Sequence, residues 1–146
     1  MTPYAMEHVT DEDFRLFREI RLVVKELPDV ELGIGSDGIP IPISCHTLTR
    51  ALAEFFPVQV CDGYVQSIWM HSWLETRNGA IIDPYPVAMI GGPILVAVPS
   101  APWEAFYRKA SKPFPELHSE LFLSHVERLT DVVRATIEAL KLKVGV

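Results

Sequence analysis

Three side chains of this 146-residue sequence have the types and the order from which thiol chemistry is built: Cys45, His71 and Asp83. Cys45 follows Ser44, a good helix cap, and opens the run CHTLTRALAEFF, whose Leu48, Leu52 and Phe55 share one face. The thiol is therefore expected in the first turn of a helix, where the dipole and free backbone N–H groups favour the thiolate, the nucleophilic form. His71 lies within SIWMHSWLET and Asp83 ends GAIIDPY, two β-branched and aromatic runs separated by the turn signal Asn78-Gly79. In such a hairpin the two side chains fall on adjacent strands, cross-strand or diagonal, within reach of each other. An imidazole oriented by a carboxylate is what activates a thiol.

Other candidates are weaker. Glu75 shares a strand with His71 four residues away, a poorer reach than Asp83 offers. Cys61 has no comparable company and is expected in the core, as free cysteines usually are. His46 reads as an exposed or capping histidine of a first helical turn. Trp69 and Trp73 alternate with His71 and should share its face; Trp69 is expected to fill the core, and Trp73 either fills it or walls the catalytic pair. Cys45, His46, Cys61, His71 and Asp83 are acceptable zinc ligands, but no CxxC, HxxxH or HExxH spacing occurs and adjacent helical residues diverge by roughly 100°. The glycines of GIGSDG neither follow a clear strand nor open a helix, so no phosphate loop is expected. His118 and His125 read as solvated or packing residues. No metal and no cofactor is expected.

The elements that must position these groups follow from local pattern. Thr10 capping Asp11, Glu12 and Asp13 begins a helix over about 11–27, with Phe14, Phe17, Ile20, Val24 and Leu27 at three- and four-residue steps. The glycines and prolines of Leu32–Ile43 describe an ordered loop. After the Cys45 helix come VQVCDGYV, SIWMHSWLET and GAIIDPY as antiparallel strands, with Ile94–Val98 as one more. WEAFYRKA is expected to form a short helix. The stripe Leu117, Leu121, Val126, Leu129, Val133, Ile137 and Leu140 predicts a long terminal helix packed on the sheet. The fold class is α+β, a small antiparallel sheet against the Cys45 helix, flanked by the N- and C-terminal helices. One domain over 1–146 is expected.

The segments SCHTLTRALAEFF, HSWLET and GAIIDPYP resemble the catalytic core of the transglutaminase-like branch of the papain-like cysteine enzymes, over about residues 44–86. In that family a helix opens with the nucleophilic Cys, a strand carries His followed closely by Trp, and the next strand ends in Asp-Pro. The resemblance implies Cys45 as nucleophile, His71 as base and then acid, and Asp83 as the orienting carboxylate. It also implies acyl transfer through a thioester, from a peptide, protein or small amide to water or an amine, with the hydrolase favoured. His46 stands where the family commonly has a small or aromatic residue. No clear counterpart exists for a side-chain oxyanion donor; Trp73, Gln59 and Tyr64 are the candidates for substrate or oxyanion contact. The competing expectation is a non-catalytic papain-like module that binds a protein partner.

Composition bounds the rest. With 13 basic and 19 acidic residues the formal net charge is −6, which disfavours a phosphate-tracking surface, so no nucleic acid is expected. Two cysteines are too few for a disulfide framework, the N-terminal residues lack a secretion signal's pattern, and no apolar run approaches the roughly 20 residues of a membrane span. A cytoplasmic protein without membrane association is expected, with a protein partner or a homo-oligomer left open.

Overall fold

Strand alternation and helical periodicity produce five strands and three helices in the computed structural model, which describes residues 9–28, 37–39, 43–66, 68–85, 93–96 and 106–142. Helix α1 spans Asp11–Glu26, capped by the Thr10 hydroxyl, which accepts from the Asp13 N–H. Helix α2 spans Cys45–Ala53. Strands β1 (Val58–Val65), β2 (Trp69–Thr76), β3 (Ile81–Asp83) and β4 (Ile94–Val96) form a meander, and β5 (Tyr107–Lys109) returns to the opposite edge. The resulting antiparallel order is β4-β3-β2-β1-β5. A 3₁₀ turn over Pro115–His118 leads into α3, Glu120–Leu140, capped by Ser119.

The β2–β3 hairpin turns through Arg77, Asn78 and Gly79, where φ is +87°. Only glycine adopts that left-handed conformation without strain, which is why the Asn-Gly signal is local and legible. Thr76 closes the turn by donating its N–H to Ala80 O and accepting from Gly79 N, each at 2.9 Å. The tip is clamped to α1: Arg77 pairs with Glu12, and Asn78 donates to Glu12 and to the buried Asp13 at 3.0 and 3.2 Å.

Period-two alternation splits the sheet into two apolar layers. One face carries Leu74 and Ile82 into a cluster with Leu48, Ala51 and Leu52 of α2, Leu16, Ile20 and Val23 of α1, and Leu129, Val133 and Ile137 of α3. The other carries Cys61, Val65, Trp73, Ile81, Val96 and Tyr107. Gly63 sits where β5 crosses β1: a Cβ there would lie 2.1 Å from Arg108 O and 2.8 Å from the Trp73 ring, so a side chain would push both away.

Three expectations are corrected. In its described part WEAFYRKA is helical only at Phe106, because Tyr107–Lys109 finds backbone partners on β1, where Gly63 pairs with Lys109 and Val65 with Tyr107. The terminal helix packs chiefly on α2 and α1, since α2 already occupies the sheet face; Leu121 lies before the buried stripe and is exposed. Trp69 is 61% exposed, because it opens β2 at a hairpin end that nothing covers among the described residues. Within α1, Leu16, Ile20 and Val23 face the core and Phe14 is turned outward. Most of the loop 32–43, and within the proline-rich stretch 84–115 residues 86–92 and 97–105, lie outside the described residues. Among the described residues no helix is long and apolar enough to cross a membrane.

Candidate functional site

Cys45 is the first residue of α2, and its position is fixed by a capping box. Ser44 accepts the Thr47 N–H through its hydroxyl, and the Thr47 hydroxyl oxygen accepts the Ser44 N–H in return. The Cys45 backbone N–H belongs to the first helical turn, whose donors have no intrahelical partner. Leu48 and Leu52, further along the helix, anchor it in the core.

His71 and Asp83 come from the hairpin. In the β2–β3 register Leu74 faces Ile82, which sets His71 and Asp83 on the same face as diagonal neighbours. The bond is direct: His71 Nε2 donates to Asp83 Oδ2 at 2.8 Å. Tyr107 of β5 donates its phenol to the same oxygen at 2.7 Å. Asp83 is fully buried, and its Oδ1 has no hydrogen-bond partner among the described residues. With Nε2 committed to the carboxylate, Nδ1 is the nitrogen left for Cys45.

Two imidazoles, His46 and His71, act on the Cys45 thiol. Burial pushes its pKa up, but hydrogen bonds from His46 and His71 and their positive charge outweigh this and bring it down to about 6. His71 moves the other way. Burial favours its neutral form, yet the Asp83 and Cys45 hydrogen bonds raise it to about 9. Between those values the pair rests as thiolate and imidazolium. Burial and the Asp83 charge push the Tyr107 phenol far above its ordinary value, so it stays a donor.

Aromatic rings close the back of the site. Trp73, 1% exposed, stacks on His71 with ring centroids 6.3 Å apart and meets Tyr107 edge-on at 5.1 Å. It walls the acid–base pair from solvent and presents no surface to a substrate. Gln59 is exposed and pairs with Glu75 toward the far end of β1, whereas Gly63 is the residue opposite His71, so the glutamine does not serve Cys45. Tyr64 commits its ring to Phe114 and Arg108. Glu75 is paired with Lys109 at 3.2 Å and does not orient His71. Cys61 is buried; desolvation, with Glu75 and Asp62 nearby, raises its thiol to about 11. His125 is buried and His118 exposed.

Two contributors escaped the sequence reading. Tyr107 was hidden by a segment whose composition reads as helix. His46, expected to be exposed or capping, is half-buried: its Nδ1 bonds Ser72 Oγ at 2.6 Å, Ser72 donates to Asp62 Oδ1 at 2.5 Å, and Arg50 holds Asp62 Oδ2 at 2.6 Å. Burial raises the Asp62 carboxyl, but the Arg50 and Ser72 bonds prevail and hold it below its ordinary value. The signal was the alternation of β2, which sends Ser72 to the α2 side of the sheet. Among the described residues no cluster of three or more His, Cys, Asp or Glu is arranged to hold a metal ion.

No family model, no curated protein and no solved structure matches the chain.

Proposed function

We propose that the protein is a cysteine-dependent acyl-transfer enzyme with a papain-like core of the transglutaminase-like type. The observation that carries this reading is His71 joined to the buried Asp83 through one nitrogen, with the other left for a thiol at a helix N-terminus. The Cys45 thiolate attacks an amide or ester carbonyl, forming a C–S bond and a tetrahedral oxyanion. As the intermediate collapses, the imidazolium of His71 gives its proton to the leaving amine or alcohol and a thioester remains. His71, now neutral, takes a proton from the incoming water or amine, and breakage of the C–S bond returns the thiolate. Asp83 holds the ring and balances its charge throughout. Water is the favoured acceptor, which makes the activity hydrolytic, on a peptide, protein or small amide.

The experiment is alkylation of Cys45 by iodoacetamide from pH 4 to 10, read by peptide mass spectrometry, alongside acylation by p-nitrophenyl acetate. Fast alkylation with a midpoint near pH 6, and acylation lost in Cys45→Ala, is the expected result. Steady turnover should follow a bell bounded near pH 6, where the thiolate is protonated, and near pH 9, where His71 loses its acid proton. A Cys45 midpoint near the ordinary thiol value of about 8.5, unmoved by His71→Ala, would sink the reading.

A further inference from the structure

Four side chains and one carbonyl close a ring of hydrogen bonds beside the proposed nucleophile. His46 Nδ1 meets Ser72 Oγ at 2.6 Å, and Ser72 donates to Asp62 Oδ1 at 2.5 Å. Arg50 donates from Nη2 to Asp62 Oδ2 at 2.6 Å and from Nη1 to the His46 carbonyl at 3.2 Å. We propose that Asp62 is a positioning residue for Cys45, acting through Ser72 and His46 to fix the first turn of α2 against β2. The inference rests on the proposed function and extends it.

The ring ties three elements together. Asp62 and Ser72 are cross-strand partners in the β1–β2 register, one position from Gly63 and His71, while His46 and Arg50 stand one turn apart on α2. Both ends of the His46–Ser72 bond adjoin the chemistry, since His46 follows Cys45 and Ser72 follows His71. Nucleophile and base are therefore each one peptide unit, about 3.8 Å between Cα atoms, from a clamped residue. Asp62 is the junction: Oδ1 holds the strand hydroxyl and Oδ2 the helix guanidinium. Burial raises its carboxyl, but the Arg50 and Ser72 bonds keep it ionised and accepting only. The Ser72 hydrogen thus points to Asp62, and Ser72 Oγ accepts from His46 Nδ1. That direction needs a proton on Nδ1 alone, and the net charge of the imidazole does not enter.

The core does not supply this constraint. Leu48, Ala51 and Leu52 bury the middle of α2, but apolar burial has no direction and tolerates a small slide or rotation that carries the first turn away from the base. Hydrogen bonds do have direction. A displacement of about 1 Å at a reacting group costs on the order of 100-fold in rate, so the ring matters to chemistry beyond its worth to folding. The Asp62 side chain is 27% exposed, and its replacement opens no core cavity.

The burst of p-nitrophenol released from p-nitrophenyl acetate gives the acylation rate constant and the ester's binding constant separately. Asp62→Ala should lower the rate constant about 10- to 100-fold and leave the binding constant within about threefold. Asp62→Asn, which keeps an oxygen for the Ser72 hydroxyl, should recover part of the loss, and it carries the same comparison where the alanine variant does not fold. Ser72→Ala, which cuts only the branch to His46, should match Asp62→Ala, and the double variant should be no slower than the slower single, because both open one ring. A purely structural role would lower the melting temperature and leave acylation by the folded protein unchanged. Wild-type acylation in folded Asp62→Ala or Asp62→Asn, or losses that multiply in the double variant, would overturn the inference and leave the Cys45–His71–Asp83 reading standing. Acylation that persists in Cys45→Ala would remove that reading, and this inference with it.

Discussion

Cys45 and Cys61 are both buried, free thiols on elements that touch the same sheet, yet their acidities diverge to about 6 and about 11. Exposure does not separate them. Burial raises both, and the difference lies in what else each sulfur meets. Cys45 meets two imidazoles at the start of a helix; Cys61 lies in the Trp73–Tyr107 layer with carboxylates nearby. A buried thiol becomes a nucleophile only where polar partners overcome its desolvation.

The contrast can be broken most severely by removing each sulfur. Cys45→Ala should reduce turnover by about 10⁴-fold or more, as loss of a nucleophile does in comparable triads, while Cys61→Ala should keep turnover within a few-fold and lower the melting temperature. Loss of activity in both would mean that the second thiol is also part of the chemistry. Next in size is Asp83→Asn, which preserves shape and removes the charge that orients His71; turnover should drop about 10³-fold with folding retained, checked by steady-state kinetics and circular dichroism. Wild-type turnover in that variant would dismiss the carboxylate from the mechanism.

Alkylation at pH 7 reads the contrast directly. Cys45 should be almost wholly thiolate and Cys61 almost wholly thiol, and after allowing for the weaker nucleophilicity of the more acidic thiol the labelling rates should differ about 100-fold. Comparable rates would show that the two environments are alike in solution. The finest adjustment is Tyr107→Phe, which takes one of two donors from Asp83 Oδ2. The lost bond is worth about 1 kcal/mol, so kcat should fall by roughly tenfold or less. The alkaline limb set by His71 should move upward, because the carboxylate then gives its charge to the imidazole alone; an unmoved limb would make Tyr107 purely structural.

How far the sequence foretold this follows from the range of each interaction. The helix at Cys45 and the hairpin joining His71 to Asp83 were readable because a cap and an Asn-Gly turn are local devices. The Tyr107 strand was not, since its conformation is decided by pairing with β1 rather than by the propensity of WEAFYRKA. His46 was misjudged for the same kind of reason: its partner Ser72 is 26 residues away, and no helical rule speaks of it. The alternation of β2 correctly set Trp73 beside His71, but it carried no information on whether Trp69, at the strand's open end, would be covered.

The span of chain between partners differs widely across the molecule. His71 and Asp83 are separated by 12 residues, His46 and Ser72 by 26, and the Arg77–Glu12 clamp by 65. Loop closure grows only logarithmically, so the step from 12 to 26 costs about 0.7 kcal/mol in chain entropy. The His71–Asp83 pair lies within one hairpin, whereas Cys45 is brought to the sheet by a helix that packs on it. The thiol therefore meets those imidazoles only where the core behind α2 has closed, so the acidity of that sulfur reports on the packing beneath it.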